Sequence, residues 1–343
     1  MKNRAQIAPA GHASTQAPAM SRRRCLVLFA SAATLPLPVH GKSTIPHTWN
    51  GVALGGDVSV TLDGFTATES ARLTDLAVME LHRLEGIFSL HQPLSALSCL
   101  NRKGSCAAAP PELIDALAVC GRLHDQSGGV FDPSVQRLWE FYDAQSQQSA
   151  NNQTTKANFV AAQDSLGFDR VEVSDRQISL PDGMSLTLNG IAQGIVTDHI
   201  AELLRDAGAR HTLINLGEFR ALGPKADGTA WQIGLRDPNA AWRLSNVVQL
   251  RGGALATSAG SGHKFREGHH LIDPGTGKSA AYYSSVTVAA PTATLADGLS
   301  TALYLLPLPQ AQELVGKFDS VAARFTLSDG RFVTTEGWGD LVL

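Results

Sequence analysis

The chain has 343 residues, 43% hydrophobic and 17% charged, enough apolar material to bury a core in one large or two medium domains. The formal charge is −3, from 28 Lys and Arg against 31 Asp and Glu. Five of those basic residues and no acidic ones fall in residues 1–41, so the rest of the chain holds 23 basic against 31 acidic side chains, a net of −8, which argues against a nucleic-acid partner.

Residues 1–41 read as an export signal. Ser21-Arg22-Arg23-Arg24-Cys25-Leu26 opens a positive region, and the apolar run from Leu26 to Val39 is too short and too interrupted by Pro36 and Pro38 to span a membrane. Paired arginines ahead of such a run form a twin-arginine address, which predicts a periplasmic protein; a Sec signal with three arginines is the competing reading. Val39-His40-Gly41 offers a cut position, and Met20 an alternative start. Beyond the signal, Cys99, Cys106 and Cys120 are odd in number and lack a CxxC or zinc spacing. Free thiols fit them better than a local Cys99–Cys106 bridge.

A domain spanning residues 42–343 follows. Period-two alternation after a Gly turn predicts a strand ending at Leu62. Thr66 and Glu69 form a capping-box pattern, and Leu73, Ala77, Leu81, Leu84 and Phe88 mark a helix stripe. Residues 89–110 read as a loop. Pro111 starts a second helix with Leu113, Leu117 and Cys120 on one face, and Gly128-Gly129 stops it. An aromatic patch at Trp139, Phe141 and Tyr142 precedes a Gln/Asn-rich stretch, 143–157, that reads as an exposed loop or insertion. A hairpin is expected around Asp175-Arg176, and a helix after Asn189-Gly190 ending at Gly208. Strands are expected at 213–217, 231–235, 247–250, 286–289, 322–327 and 332–334, with a helix near 309–318. Helices and hairpins without a strict strand–helix repeat favour an α+β fold.

Four constellations bear chemistry. Asp297, Ser300 and Thr301 share one helix face, half of an oxygen site for a hard cation; ordinary capping and back-bonding explain the same spacing. His263, His269 and His270 lie within eight residues. A single working His270 beside the Asp273-Pro274-Gly275-Thr276-Gly277 turn fits this better than a transition-metal trio. Gly190 and Gly194 flank a helix start, where backbone N–H groups can receive phosphate. Thr257-Ser258-Ala259-Gly260-Ser261-Gly262 permits close backbone approach, and Ala259 breaks the nucleophile-elbow pattern, which disfavours a serine hydrolase.

Five segments in order resemble the FAD:protein FMN transferases, the ApbE family. They are His270-Leu271-Ile272-Asp273-Pro274-x-Thr276-Gly277; Asp297-x-x-Ser300-Thr301; Phe88-Ser89 with Ser95-x-Leu97-Ser98-x-Leu100-Asn101; Gly129-Val130-Phe131-Asp132-Pro133; and Leu188-x-Gly190-Ile191-Ala192-x-Gly194 with Asp198. The resemblance covers roughly residues 48–305. It implies two mixed α/β lobes with largely antiparallel sheets and a ligand cleft between them. It also implies transfer of FMN from FAD to a Thr or Ser hydroxyl of a partner flavoprotein, with release of AMP. FAD would be held by Leu54, His91, Ser95, Ala96, Leu97, Phe131, Asp132, Thr187, Gln193 and Ile272, and Mg²⁺ by Asp297, Thr301 and the Gly190 carbonyl. His270 would position a phosphate or move the proton.

The chain departs from the family pattern at several positions. Thr187 stands where the family has Asp, Gln193 where it has Lys or Glu, and His91 where it has an aromatic. Leu54-Gly55-Gly56 replaces Met-Gly-Thr, and Ala259 replaces a Gly. Thr187 and Gln193 still hydrogen-bond, which implies altered tuning. The signal and Leu216-Gly217-Glu218-Phe219-Arg220-Ala221-Leu222-Gly223 resemble the NosX branch, implying nitrous oxide reductase maturation and a membrane-bound NosR-type acceptor. A flavin-delivery protein without catalysis and an FAD pyrophosphatase remain as alternatives.

Overall fold

The computed structural model describes residues 45–147, 156–238 and 240–341; the export segment and residues 148–155 of the polar stretch lie outside the described residues. Around the first Gly turn there are two strands, β1 (His47–Ala53) and β2 (Gly56–Leu62), paired as a hairpin. Its two-residue turn places Leu54 at φ 50° and Gly55 at φ 83°, the positive values a tight hairpin needs. Helix α1 (Ala67–Phe88) opens on the Thr66/Glu69 capping box and buries its whole predicted stripe.

The stretch 89–110 contains a helix, α2 (Ala96–Lys103), followed by β3 (Ser105–Cys106). The Ser95 hydroxyl accepts the Ser98 N–H at 3.0 Å, and Leu97 and Leu100 are fully buried. A cap and two apolar anchors thus make a helix from a Ser/Cys-rich sequence. Helix α3 (Pro111–Gln126) is bounded as expected. The aromatic patch and the start of the polar stretch form α4 (Gln136–Gln147), and α5 (Lys156–Asp164) follows. These helices are held by side chains: Leu138, Phe265, Ala162 and Ile272 are buried together, with Trp139, Phe141, Tyr142 and Phe159 packed around them.

The expected hairpin is β4 (Glu172–Ser174) and β5 (Gln177–Ser179), turning at Asp175 (φ 46°). Then come α6 (Ala192–Asp206), β6 (Thr212–Asn215), β7 (Phe219–Leu222), β8 (Trp231–Asp237), β9 (Ala240–Leu250) and β10 (Gly253–Ala259). The chain closes with β11 (Ile272–Asp273), β12 (Lys278–Ser279), β13 (Tyr283–Ala290), α7 (Ala293–Tyr304), α8 (Leu308–Val315), β14 (Ala322–Leu327) and β15 (Phe332–Thr334).

Eight strands form one sheet in the order β1-β2-β6-β7-β10-β13-β14-β15, with every neighbouring pair antiparallel. Alternate side chains separate two cores. Ala254, Ala256, Val286, Val288, Ala323 and Phe325 face the main core with the helices. Phe219, Ala221, Leu255, Ala289 and Ala322 face the β8–β9 ribbon through Trp231, Ile233, Leu235, Val248 and Leu250. The α+β class with antiparallel sheets is therefore as expected. Cys99, Cys106 and Cys120 are free thiols, and no described helix is long and apolar enough to cross a membrane.

Candidate active site

Helices α6 and α7 build the centre of the site by capping each other. The Asp198 carboxylate of α6 accepts the backbone N–H of Ala293 (2.9 Å) and Thr294 (2.8 Å) and the Thr294 hydroxyl (2.7 Å). In return, Asp297 Oδ2 of α7 accepts the Gly194 N–H at 2.9 Å, in the first turn of α6, where Ile191 supplies no side-chain cap. Carboxylates at both positive helix ends are favourable. The close packing requires Gly194: a Cβ there would lie 2.5 Å from the Ala293 carbonyl oxygen and 2.8 Å from Asp297 Cβ.

One turn after Asp297, the Thr301 hydroxyl donates to the Gly190 carbonyl at 3.4 Å. The Ser258 hydroxyl of β10 lies 2.7 Å from Ser300 Oγ and 3.3 Å from Thr301 Oγ1. All three expected metal ligands thus lie at the α6–α7 junction. Asp297 is 4% exposed. Burial, with the nearby Asp198 charge adding, pushes its carboxyl up to about 7 against the opposing pull of the Gly194 N–H. An all-oxygen donor set around a carboxylate held short of solvent suits a hard cation, so the residues fit Mg²⁺. Among the described residues no group of three His, Cys, Asp or Glu side chains could hold a metal, and the three-histidine alternative falls with that.

The histidines instead form a supported wall. Gly260 and Gly262 follow β10, and a Cβ on them would come within 2.7 Å of His269 Cδ2 and 3.2 Å of His270 Cε1. The small residues seen in the sequence therefore admit the protein's own imidazoles. His269 Nε2 lies 2.8 Å from the Ala280 carbonyl and 3.5 Å from the Tyr304 hydroxyl at the end of α7. His270 Nδ1 lies 3.2 Å from the His263 carbonyl, and since a carbonyl only accepts, Nδ1 carries the hydrogen and Nε2 the lone pair. Burial lowers the His270 proton affinity to about 4, so the ring is neutral at pH 7. His263 is itself stacked on Trp139 at 5.3 Å between ring centres.

The expected flavin positions divide. Ser95, Leu97, Phe131 and Ile272 are buried, and the Ser95 hydroxyl donates to the Ser89 carbonyl at 2.5 Å. Asp132 Oδ1 accepts the Ser134 N–H at 2.7 Å, and Asp273 holds the turn by accepting the Gly275 N–H and the Thr276 hydroxyl. These side chains are committed to protein contacts. Asn101 brackets the backbone of Leu186 with two 2.8 Å hydrogen bonds, tying α2 to the segment that carries Thr187. Thr187 Oγ1 accepts the Asn189 N–H at 3.1 Å ahead of α6, and the Gln193 side chain lies against Gly217. His91 and Ala96 flank the α2 start, His91 exposed and Ala96 partly so. The Leu54 N–H donates to Glu85 Oε1 at 2.9 Å.

Two acidic residues outside the expected set belong here. Asp198 is the cap described above. Glu218, ahead of β7, is 6% exposed and near the Thr257 backbone N–H, and its buried Oε2 has no hydrogen-bond partner. Burial, and then the Asp297 charge, push its carboxyl well above the usual range. The one sequence signal was its isolation as a single charge in the apolar run Leu213–Phe219.

Comparison with known proteins assigns this arrangement to a family. The sequence model of the ApbE family matches residues 54–325. The chain is 28% identical over 299 residues to the FAD:protein FMN transferase of Salmonella typhimurium, covering 82% of this chain and 84% of that protein. It is 30% identical over 289 residues to the FAD:protein FMN transferase of Treponema pallidum, covering 76% and 79%. The crystal structure of the ApbE protein from Thermotoga maritima shares the fold, with a TM-score of 0.78 at 22% identity over 87% of this chain and 99% of that one. The flavin transferase ApbE from Vibrio cholerae does so with a TM-score of 0.73 at 20% identity, covering 87% and 100%. The protein belongs to the ApbE family.

Proposed function

We propose that this protein transfers FMN from FAD to a Thr or Ser hydroxyl of a partner flavoprotein, releasing AMP. The observation that carries the reading is the path of β10. It passes Thr257 beside Glu218 and Ser258 beside Ser300 and Thr301, and leads to Gly260 under His269 and Gly262 under His270. One strand thus links an oxygen-lined cradle to a neutral imidazole, the two elements pyrophosphate transfer needs.

Asp297, Thr301 and the Gly190 carbonyl would hold Mg²⁺, which when bound neutralises charge on the pyrophosphate oxygens. His270 Nε2 accepts the proton of the attacking hydroxyl while His263 keeps Nδ1 protonated. The hydroxyl oxygen bonds the phosphorus on the FMN side, the bond to the bridging oxygen breaks, and AMP leaves with that electron pair. Thr187 and Gln193 orient the nucleotide by hydrogen bonding in place of the family's charged residues.

The export signal supports a periplasmic location by the twin-arginine route. The Leu216–Gly223 run supports the NosX branch, with a membrane-bound NosR-type protein as acceptor in nitrous oxide reductase maturation. Incubating the full chain with FAD, Mg²⁺ and a NosR-type flavoprotein tests the reading. Acceptor-bound FMN with stoichiometric AMP is expected. Free FMN and AMP would make it a pyrophosphatase, and bound FAD without turnover a delivery protein.

A further inference from the structure

Glu218 has a buried oxygen that the protein does not satisfy. Gly217 (φ 103°) turns the chain just ahead of it, and a Cβ on Gly217 would lie 2.5 Å from Gln193 Nε2. The residue just before Glu218 therefore packs on the first turn of α6. In that same turn Gly194 rests on Asp297. From the other side comes β10: Thr257 lies beside Glu218, and the next residue, Ser258, reaches Thr301. Glu218 Oε2 is left without a partner in the enclosure where Asp297 is the charge acting on it.

Two carboxylates buried together are costly unless a proton or a cation joins them, and a cation can serve both at once. Among the described residues no Lys or Arg pairs with either; the nearby Arg220 is paired with Asp198, Nε to Oδ1 at 3.2 Å. A purely structural Glu218 would need no charge, and a Gln would serve equally well.

We propose that Glu218 is a second carboxylate ligand of the divalent-cation site, joining Asp297, the Thr301 hydroxyl and the Gly190 carbonyl. This rests on the reading of that junction as a cation site. Two carboxylates, a hydroxyl and a carbonyl form an oxygen set that binds Mg²⁺ or Mn²⁺ before any nucleotide arrives. The chain itself then supplies binding that a single-carboxylate site leaves to the substrate.

Mn²⁺ uptake by the full chain, followed by electron paramagnetic resonance with and without FAD, tests the assignment alongside melting in EDTA and in Mn²⁺. The wild type should bind Mn²⁺ without FAD. Glu218→Gln should weaken that binding about tenfold or more. It should also melt higher in EDTA, because a buried like-charge contact is gone, and gain less from Mn²⁺. Glu218→Asp keeps the charge on a shorter stem and should fall between the two, which decides the matter if the Gln variant does not fold. Unchanged Mn²⁺ affinity in Glu218→Gln, or in Glu218→Asp should that variant be the one that folds, overturns the role of Glu218 while Asp297→Asn still shows that the site exists. A wild type that takes up no Mn²⁺ even with FAD removes the cation site and this inference with it.

Discussion

Through His270 alone, the fold should lose about 2 kcal/mol of stability between pH 7 and about pH 4.5, and His270→Asn should abolish that loss. The folded ring has its proton affinity lowered from 6.5 to about 4, chiefly by burial. In the unfolded chain it returns to about 6.5. Above that pH both states hold a neutral imidazole, and the stability is intact. As pH falls from 6.5 through 4, the unfolded chain takes up a proton that the folded protein refuses, so stability is lost. The shift would give slightly more at pH 4.5, but the ring is partly solvated, which trims the figure to about 2 kcal/mol. Asp297 works in the opposite direction: raised to about 7, it gains a proton in the folded state first, and so adds stability as the pH falls below 7. Only the difference between wild type and variant therefore isolates His270. Urea unfolding followed by tryptophan fluorescence at both pH values provides it, with equal slopes required for a two-state comparison. The same variant should bind FAD and transfer FMN about 10²–10⁴-fold more slowly. A His270→Asn protein with the wild-type pH dependence of stability would refute a neutral, buried His270.

Asp297→Asn should abolish Mg²⁺-dependent turnover and leave a folded protein that melts higher than wild type in EDTA at pH 8, since it removes a buried charge; wild-type turnover at equal Mg²⁺ removes Asp297 from the site. Gly194→Ala should cost about 1–3 kcal/mol in urea unfolding, because its methyl group meets the Ala293 carbonyl at 2.5 Å, and should lower FAD turnover by moving Asp297; an unaffected variant shows that α6 and α7 part easily. Changing Arg22 and Arg23 to Lys should trap unprocessed precursor inside the cell, because the arginine pair is read by a receptor and charge alone does not suffice; normal periplasmic recovery points to Sec export.

Elements whose caps and apolar stripes agree were legible in the sequence. The Thr66/Glu69 box, Pro111 as a helix start and the Asp175 turn all stand where local rules put them. Helices α2 and α4 were not, because their apolar residues are few and their stability comes from distant partners: the main core for Leu97 and Leu100, and Phe265 and Ile272 for Leu138. The same divide runs through the site. Asp297 and Thr301 were visible as one helix face, since four residues span one turn. Glu218 was not, because its environment is made by β10 and α7, far along the chain. Single letters also hid the fate of Ser95 and Asp132, whose oxygens are taken by neighbouring backbone N–H groups.

The mutual capping of α6 and α7 explains why the site tolerates so much buried acid. Asp198 is neutralised by helix N–H groups and by Arg220, so its charge holds α7 in place. Asp297 receives a single N–H, from Gly194, and Glu218 Oε2 is buried without a partner. The three carboxylates therefore differ in what they lack. Asp198 is complete and serves the scaffold, while Asp297 and Glu218 are each left with oxygen capacity that only an added cation or proton can fill. If Asp297 and Glu218 hold a hard cation as proposed, their placement on packed elements lowers the ordering cost of binding it.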